Sequence, residues 1–368
     1  MTGMATPPTA RPEGYFPQLD SLRTLAIGFV LIEHWLYPVG RWFGIHGSYG
    51  VWLFFTLSGF LITGILLDYR GAVERGVATI GRALRIFFVR RFLRILPVYY
   101  LFLAISYLVG SLTRDNAPWH LLYLSNLYVM VEGRFKSMGH LWSLSVEEQF
   151  YLVWPALILL VSRARVPSMI LGCIATALVF RAVSIWQGWP LAYYVFPVAC
   201  LDTLGLGALL AWLRRNPGSP IHAWLRPCQY ATLIGAPLIG FAPEAAFNLF
   251  APLVIGLASS WLVEKATGGI AGWPGRIASF APLLYLGRIS YGLYLYHGLA
   301  NWFIDGTVRD HLPGGYFLVL MTAALLKAIL LVLVATASWY LFELPVNRLK
   351  RRFRLEDGKV RSAAAEAG

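Results

Sequence analysis

Apolar residues dominate this chain in long runs, and polar residues fall in short breaks between them. A lipid hydrocarbon core takes about 20 mostly apolar residues per helix, within a range of about 17–25. Runs of that kind predict about ten membrane-spanning helices. They are Leu22 to Leu36, Tyr49 to Leu67, Ile95 to Leu112, Glu148 to Ser162 and Ser168 to Trp186. Val195 to Leu213, Gln229 to Ala242, Phe247 to Val263, Leu283 to Ile304 and Tyr316 to Leu341 follow. The first and seventh are short. No cleavable-leader pattern precedes the first, so it is read as retained. The long break after the third contains Trp119 to Met130, aromatic and half-apolar. It is too short and polar for a span and reads as an interfacial or re-entrant helix covering a site.

Composition agrees with a membrane class. The chain is 58% hydrophobic and 13% charged, where soluble domains carry about 25% charge. Hydrophobicity and only three Cys exclude disordered and disulfide-stapled classes. The net charge of +13 would also suit a nucleic-acid binder, so the position of the charge decides. With the N-terminus in the cytoplasm and the loops alternating, most of the 31 Lys+Arg fall on the cytoplasmic side. These include the Arg-rich stretch from Arg70 to Arg94, Arg214, Arg215 and the tail from Arg348 to Arg361. The other side holds Arg41, Arg114, Arg134, Lys136 and Arg309. That skew is the positive-inside pattern, not a nucleic-acid footprint. It predicts an even number of spans with both termini cytoplasmic; a missed pair would preserve the parity. The expected fold is an all-α polytopic protein of the cell membrane. One domain covers residues 1–347, and 348–368 form a short basic cytoplasmic tail.

Ionisable residues inside a bilayer are costly and each needs a reason. In the first span Arg23 and His34 are eleven residues apart, three helical turns, so they share a face about 16 Å apart along the axis. Arg23 reads either as a snorkelling cation or as part of a site, and His34 either as a helix end or as a base. The loop entering the third span carries Arg90, Arg91 and Arg94. Arg91 and Arg94 share a helical face and suit either anionic lipid or a phosphate-bearing cosubstrate. At the fourth span, Ser145 and Glu148 have capping-box spacing. Glu147 is then free to sit at the depth of His34, where a carboxylate orients an imidazole base. Ser58 and Gly59 read as a close helix-packing site. Arg181, Asp202 and Lys327 are embedded charges that pair internally or line a polar cavity. His297, after an aromatic run, reads as packing. The three Cys and seven His give no metal-ligand spacing.

Together these segments resemble the acyltransferase-3 family of integral membrane enzymes. The resemblance runs through Leu19-Asp20-Ser21-Leu22-Arg23 with its Arg-x10-His, and Leu53-Phe54-Phe55-Thr56-Leu57-Ser58-Gly59-Phe60. It continues through Arg91-x-x-Arg94 and the string from His140 to Tyr151, which includes Glu147-Glu148-Gln149. It closes with Ile289-Ser290-Tyr291-Gly292 and Phe342-Glu343-Leu344-Pro345. One such string is a weak signal; the set in one order is specific. Some members carry a further extracytoplasmic domain, and this chain looks like the stand-alone form. The resemblance implies transfer of an acyl group, mostly acetyl, from acetyl-CoA to a hydroxyl. Implied acceptors are cell-surface glycans, lipid-linked glycans or secondary metabolites. It implies Arg23, His34 and Glu147 as catalytic residues, and Arg91 and Arg94, joined by Arg90, as the donor's phosphate ligands. Direct transfer and a covalent acyl-His34 relay both fit this set. The competing reading is a transporter built on the same bundle.

Overall fold

At the place of each predicted span there is a helix, and no strand occurs among the described residues. The computed structural model describes residues 15–311, 315–353 and 355, with backbone alone for 306–311. Arg11, Arg354, Lys359, Arg361 and the Arg309 side chain, all part of the charge pattern above, lie outside the described residues, as does most of the 348–368 tail.

The first half of the chain contains α1 (Gln18–Trp35), α2 (Tyr37–Trp42), α3 (Gly47–Glu74), α4 (Ile80–Leu108), α5 (Ala117–Leu121), α6 (Ser125–Glu132) and α7 (Trp142–Leu160). The second half contains α8 (Val166–Trp186), α9 (Ala192–Val195), α10 (Leu201–Leu213), α11 (Ile221–Ile239) and α12 (Glu244–Gly268). It ends with α13 (Gly272–Ala278), α14 (Ala281–Arg288), α15 (Ser290–His311), α16 (Tyr316–Ser338) and α17 (Leu344–Arg348). Among the described residues four stretches are long and apolar enough to cross a membrane, by length and composition alone: Gly47–Glu74, Arg163–Trp186, Glu244–Gly268 and Tyr316–Arg352. Helices α1, α4, α7 and α15 carry the Arg, His and Glu residues singled out in the sequence. Their chemistry is what lowers their hydropathy.

Helix α3 is the central post, packed against α1, α7, α10 and α12. Its crossing with α10 is a backbone contact. A Cβ on Gly59 would lie 1.9 Å from the Leu204 carbonyl oxygen, and one on Gly207 would lie 2.0 Å from the Thr56 carbonyl oxygen. Small residues let helix backbones approach this closely, which is the packing role read for Ser58-Gly59. Nearby, Arg181 of α8 and Asp202 of α10 form a fully buried ion pair at 2.7 Å. Arg181 also donates to the Ala199 and Leu249 carbonyls, and Asp202 accepts from the Thr203 amide. Lys327 pairs with Asp305 at 2.5 Å. All three embedded charges are therefore paired.

Three local readings are corrected. The stretch holding Arg90, Arg91 and Arg94 is no loop: α4 starts at Ile80, capped by the Thr79 side chain, which accepts from the Arg82 amide. Arginine is a good helix former, so the helix extends through the basic stretch before it turns apolar. The capping box at Ser145 and Glu148 does not form, because α7 begins at Trp142. Ser145 instead bonds the Leu141 carbonyl and accepts from the Ser125 amide at the start of α6. The ninth span is broken at Ile289, where α14 ends and α15 begins. The stretch from Trp119 to Met130 forms the short α5 and α6, tied to α7 by hydrogen bonds between Asn126 and Gln149 at 3.1 Å.

Candidate functional site: two cavities with a shared wall

Two cavities lie on one side of α3. The smaller, about 240 Å³, is lined by Arg23, Ser58, Arg91, Arg94, Glu147, Glu148, Tyr151 and Tyr291. The larger, about 770 Å³, is lined by His34, His140 and His297 together with Trp142, Tyr194 and Phe247. Tyr294 and Val51 line both. Helix α1 spans the pair, with Arg23 in one cavity and His34 in the other, as their common face and separation require.

In the arginine cavity, Arg23 is tethered to Asp20 one turn back, and Asp20 also accepts from the Tyr15 hydroxyl at 2.6 Å. The Arg91 guanidinium lies over the Tyr151 ring, 5.6 Å from its centroid. Tyr151 in turn meets the Ser58 hydroxyl at 2.5 Å. Among the described residues neither Arg91 nor Arg94 forms an ion pair. Glu147 and Glu148 are near enough to act on Arg91 electrostatically, yet do not close on it. One oxygen of buried Glu148 has no hydrogen-bond partner among the described residues. Guanidinium groups left open in a largely apolar bundle form a ready receptor for phosphate.

In the histidine cavity the His34 and His297 rings are 4.8 Å apart between centroids, and those of His297 and His140 are 4.5 Å apart. His297 Nδ1 donates to the Tyr294 carbonyl at 2.6 Å, since a carbonyl only accepts. That fixes its tautomer and leaves Nε2 as an acceptor. His140 Nε2 likewise donates to the Leu295 carbonyl at 3.3 Å. The His34 ring has no hydrogen bond among the described residues and is open to the cavity. Next to it, Glu33 accepts from the Gly47 amide at 3.2 Å, which joins the end of α1 to the start of α3. Among the described residues no group of His, Cys, Asp or Glu is arranged to hold a metal ion.

The wall between the cavities is built by α15. The Tyr294 hydroxyl donates to the His140 carbonyl at 2.9 Å, which leaves Ser143 to donate to the phenol oxygen at 2.6 Å. The ring stands beside Phe54, His140 and His297. Two successive turns of α15 thus contribute Ser290 and Tyr291 to the arginine cavity, His297 to the histidine cavity and Tyr294 to both.

Of the residues read from sequence, Arg23, Arg91, Arg94 and Glu147 come together, and His34 stands apart from them. Glu147 is therefore placed with the arginines and not beside His34. Arg90 lies outside the cavity, where it donates to the Phe353 carbonyl at 3.2 Å. His140, His297 and Tyr294 were missed as site residues. His140 and Tyr294 sit in or beside strings already singled out, while His297 had been assigned to packing.

The family model described as an acyltransferase domain, of the acyltransferase-3 type, matches residues 16–343. The chain is 30% identical over 316 residues to a Bacillus subtilis protein named "Putative peptidoglycan O-acetyltransferase YrhL", covering 77% of this chain and 48% of that one. It is 28% identical over 313 residues to the peptidoglycan O-acetyltransferase OatA of Listeria monocytogenes, covering 77% and 49%. The chain thus spans about half the length of these relatives. No solved structure matches it.

Proposed function

The chain belongs to the acyltransferase-3 family, and we propose that it is a multi-pass O-acetyltransferase of the cell membrane. In this reading about ten helices span the bilayer with both termini in the cytoplasm. Acetyl-CoA enters from the cytoplasmic side at the arginine cavity. The acceptor, a sugar hydroxyl of a peptidoglycan-like glycan, meets the histidine cavity from the other side. The observation that carries this is the shared wall: a cavity holding Arg91 and Arg94, which form no ion pair among the described residues, and a cavity of histidines meet at Tyr294 and Val51.

The residues fit the donor. Arg91 and Arg94 present open guanidinium forks for phosphate, and Arg23 stands behind them, held by Asp20. Glu147 sits among these cations, so its role is to hold their arrangement and not to orient His34. Acetyl-CoA supplies an activated acyl group. His34, free of other bonds, takes the proton of the acceptor hydroxyl as that oxygen bonds the acetyl carbon. It returns the proton to the departing sulfur as the carbon–sulfur bond breaks. An O-acetyl ester and a free thiol result, and His34 ends as it began.

Purified protein in detergent, given radiolabelled acetyl-CoA and soluble peptidoglycan fragments, should label the fragments. His34→Ala should abolish labelling at unchanged expression. A transporter would show no turnover without a compartment, so absence of labelling by the purified protein across glycan acceptors would overturn the reading.

A further inference from the structure

The chain does not end with its last long helix. After α16 there is one turn of π-helix, Trp339–Glu343. Such turns are rare and cluster at functional sites. Here it turns Glu343 inward, buried and accepting from the Ser338 hydroxyl at 3.1 Å. Helix α17 and a 3₁₀ turn, Leu349–Arg352, then fold back against α4. Arg90 of α4 pins this hook by its bond to the Phe353 carbonyl.

The hook brings Lys350 to the arginines. Its ammonium donates to the Asn347 side chain, a neutral amide. Arg94, Arg91 and Arg90 lie near enough to act on it electrostatically, as does the Glu343 carboxylate. Lys350, Arg90, Arg91 and Arg94 form no ion pair among the described residues. Glu343, Glu147 and Glu148 stand near these four cations without closing on any of them, so the group keeps an excess of positive charge that repels itself. A polyanion relieves that repulsion better than a single phosphate does.

We propose that the hook is part of the donor site and that Lys350, with Arg90, binds the 3′-phosphate of coenzyme A. This rests on the donor assignment above. The order of charges supports it. Along the donor the acyl-bearing arm comes first, then the pyrophosphate, then the ribose 3′-phosphate. Along the protein Arg91 and Arg94 line the cavity, whereas Arg90 and Lys350 lie beyond its lining. The inner pair therefore meets the pyrophosphate and the outer pair meets the terminal phosphomonoester. An anionic lipid headgroup offers similar phosphate chemistry, so the test must separate the two.

The test is equilibrium binding of coenzyme A and of 3′-dephospho-coenzyme A to the purified full chain in a neutral detergent, by calorimetry. The wild type should bind coenzyme A about 10-fold or more tightly than the dephospho form, the scale of a charge-assisted hydrogen bond. Lys350→Met should erase that preference and leave the dephospho affinity unchanged, and Lys350→Arg should restore it. Equal wild-type affinity for the two ligands overturns the inference while sparing the donor assignment. Binding of neither ligand overturns the donor assignment itself. If Lys350→Met weakens both equally, the hook is only structural. If it spares both and weakens binding to phosphatidylglycerol vesicles, Lys350 is a lipid anchor. Should the Met variant fail to fold, Lys350→Gln removes the charge alone, and the two-ligand comparison on the wild type stands independently.

Discussion

His34 and His297 come from opposite ends of the chain, yet their rings lie 4.8 Å apart, and only His297 has its tautomer fixed, by the Tyr294 carbonyl. The ring that is free to exchange a proton thus sits beside one that is held still with an acceptor nitrogen left over. In the proposed mechanism His297 positions His34 or carries its proton onward. His297→Gln should lower kcat roughly 100-fold, at the low end of what acid–base groups contribute, with donor KM unchanged. A role in packing alone would instead lower thermal stability and spare kcat.

Arg91 and Arg94 carry the donor phosphates in this reading, and their fork geometry matters as well as their charge. Replacing either by Lys should raise the dissociation constant for coenzyme A roughly 10-fold, and replacing either by Ala about 10- to 100-fold. The KM for the acceptor should not change. Calorimetric binding and steady-state kinetics in detergent check this together. An unchanged donor affinity in both Ala variants would remove the phosphate assignment.

The helices were legible because long apolar runs leave few alternatives. The common face of Arg23 and His34 was legible because the α-helical repeat is fixed. What spacing does not carry is which distant helix faces which. His140 precedes α7 and His297 lies on α15, so their contact arises only from packing. Glu147 was expected at the depth of His34 because α7 was started too late. Once the helix begins at Trp142, Glu147 is a turn further in and faces Arg91. The Arg90 to Arg94 stretch looked like a loop because charge masks helical periodicity in a hydropathy reading. Lys350 looked like one more topology charge because nothing local reveals that the π turn folds its segment back onto α4.

Arg181 and Asp202 play no part in either cavity and act on stability. Both are fully buried at 2.7 Å. Asp202→Ala leaves a guanidinium without its counter-charge in an apolar bundle and should cost about 3–5 kcal/mol. It should yield little folded protein by fluorescence-detected size exclusion. The double replacement Arg181→Met with Asp202→Leu should recover folding, because removing both charges removes the desolvation cost.

Tyr294 is the test of the shared wall. Its hydroxyl is held by Ser143 and the His140 carbonyl, and its ring separates the arginine cavity from the histidine cavity. Tyr294→Phe keeps the ring and frees it from both bonds. The wall then loosens, and water from the larger cavity gains access to the activated acyl group. Acetyl transfer to glycan should fall several-fold while coenzyme A release without acceptor rises. Tyr294→Ala removes the wall and should shift turnover further toward hydrolysis. The ratio of free acetate to acetylated glycan, read by scintillation after separation, measures that shift. An unchanged ratio in both variants would mean that the two cavities are kept apart by Val51 and the backbone, and that Tyr294 only packs.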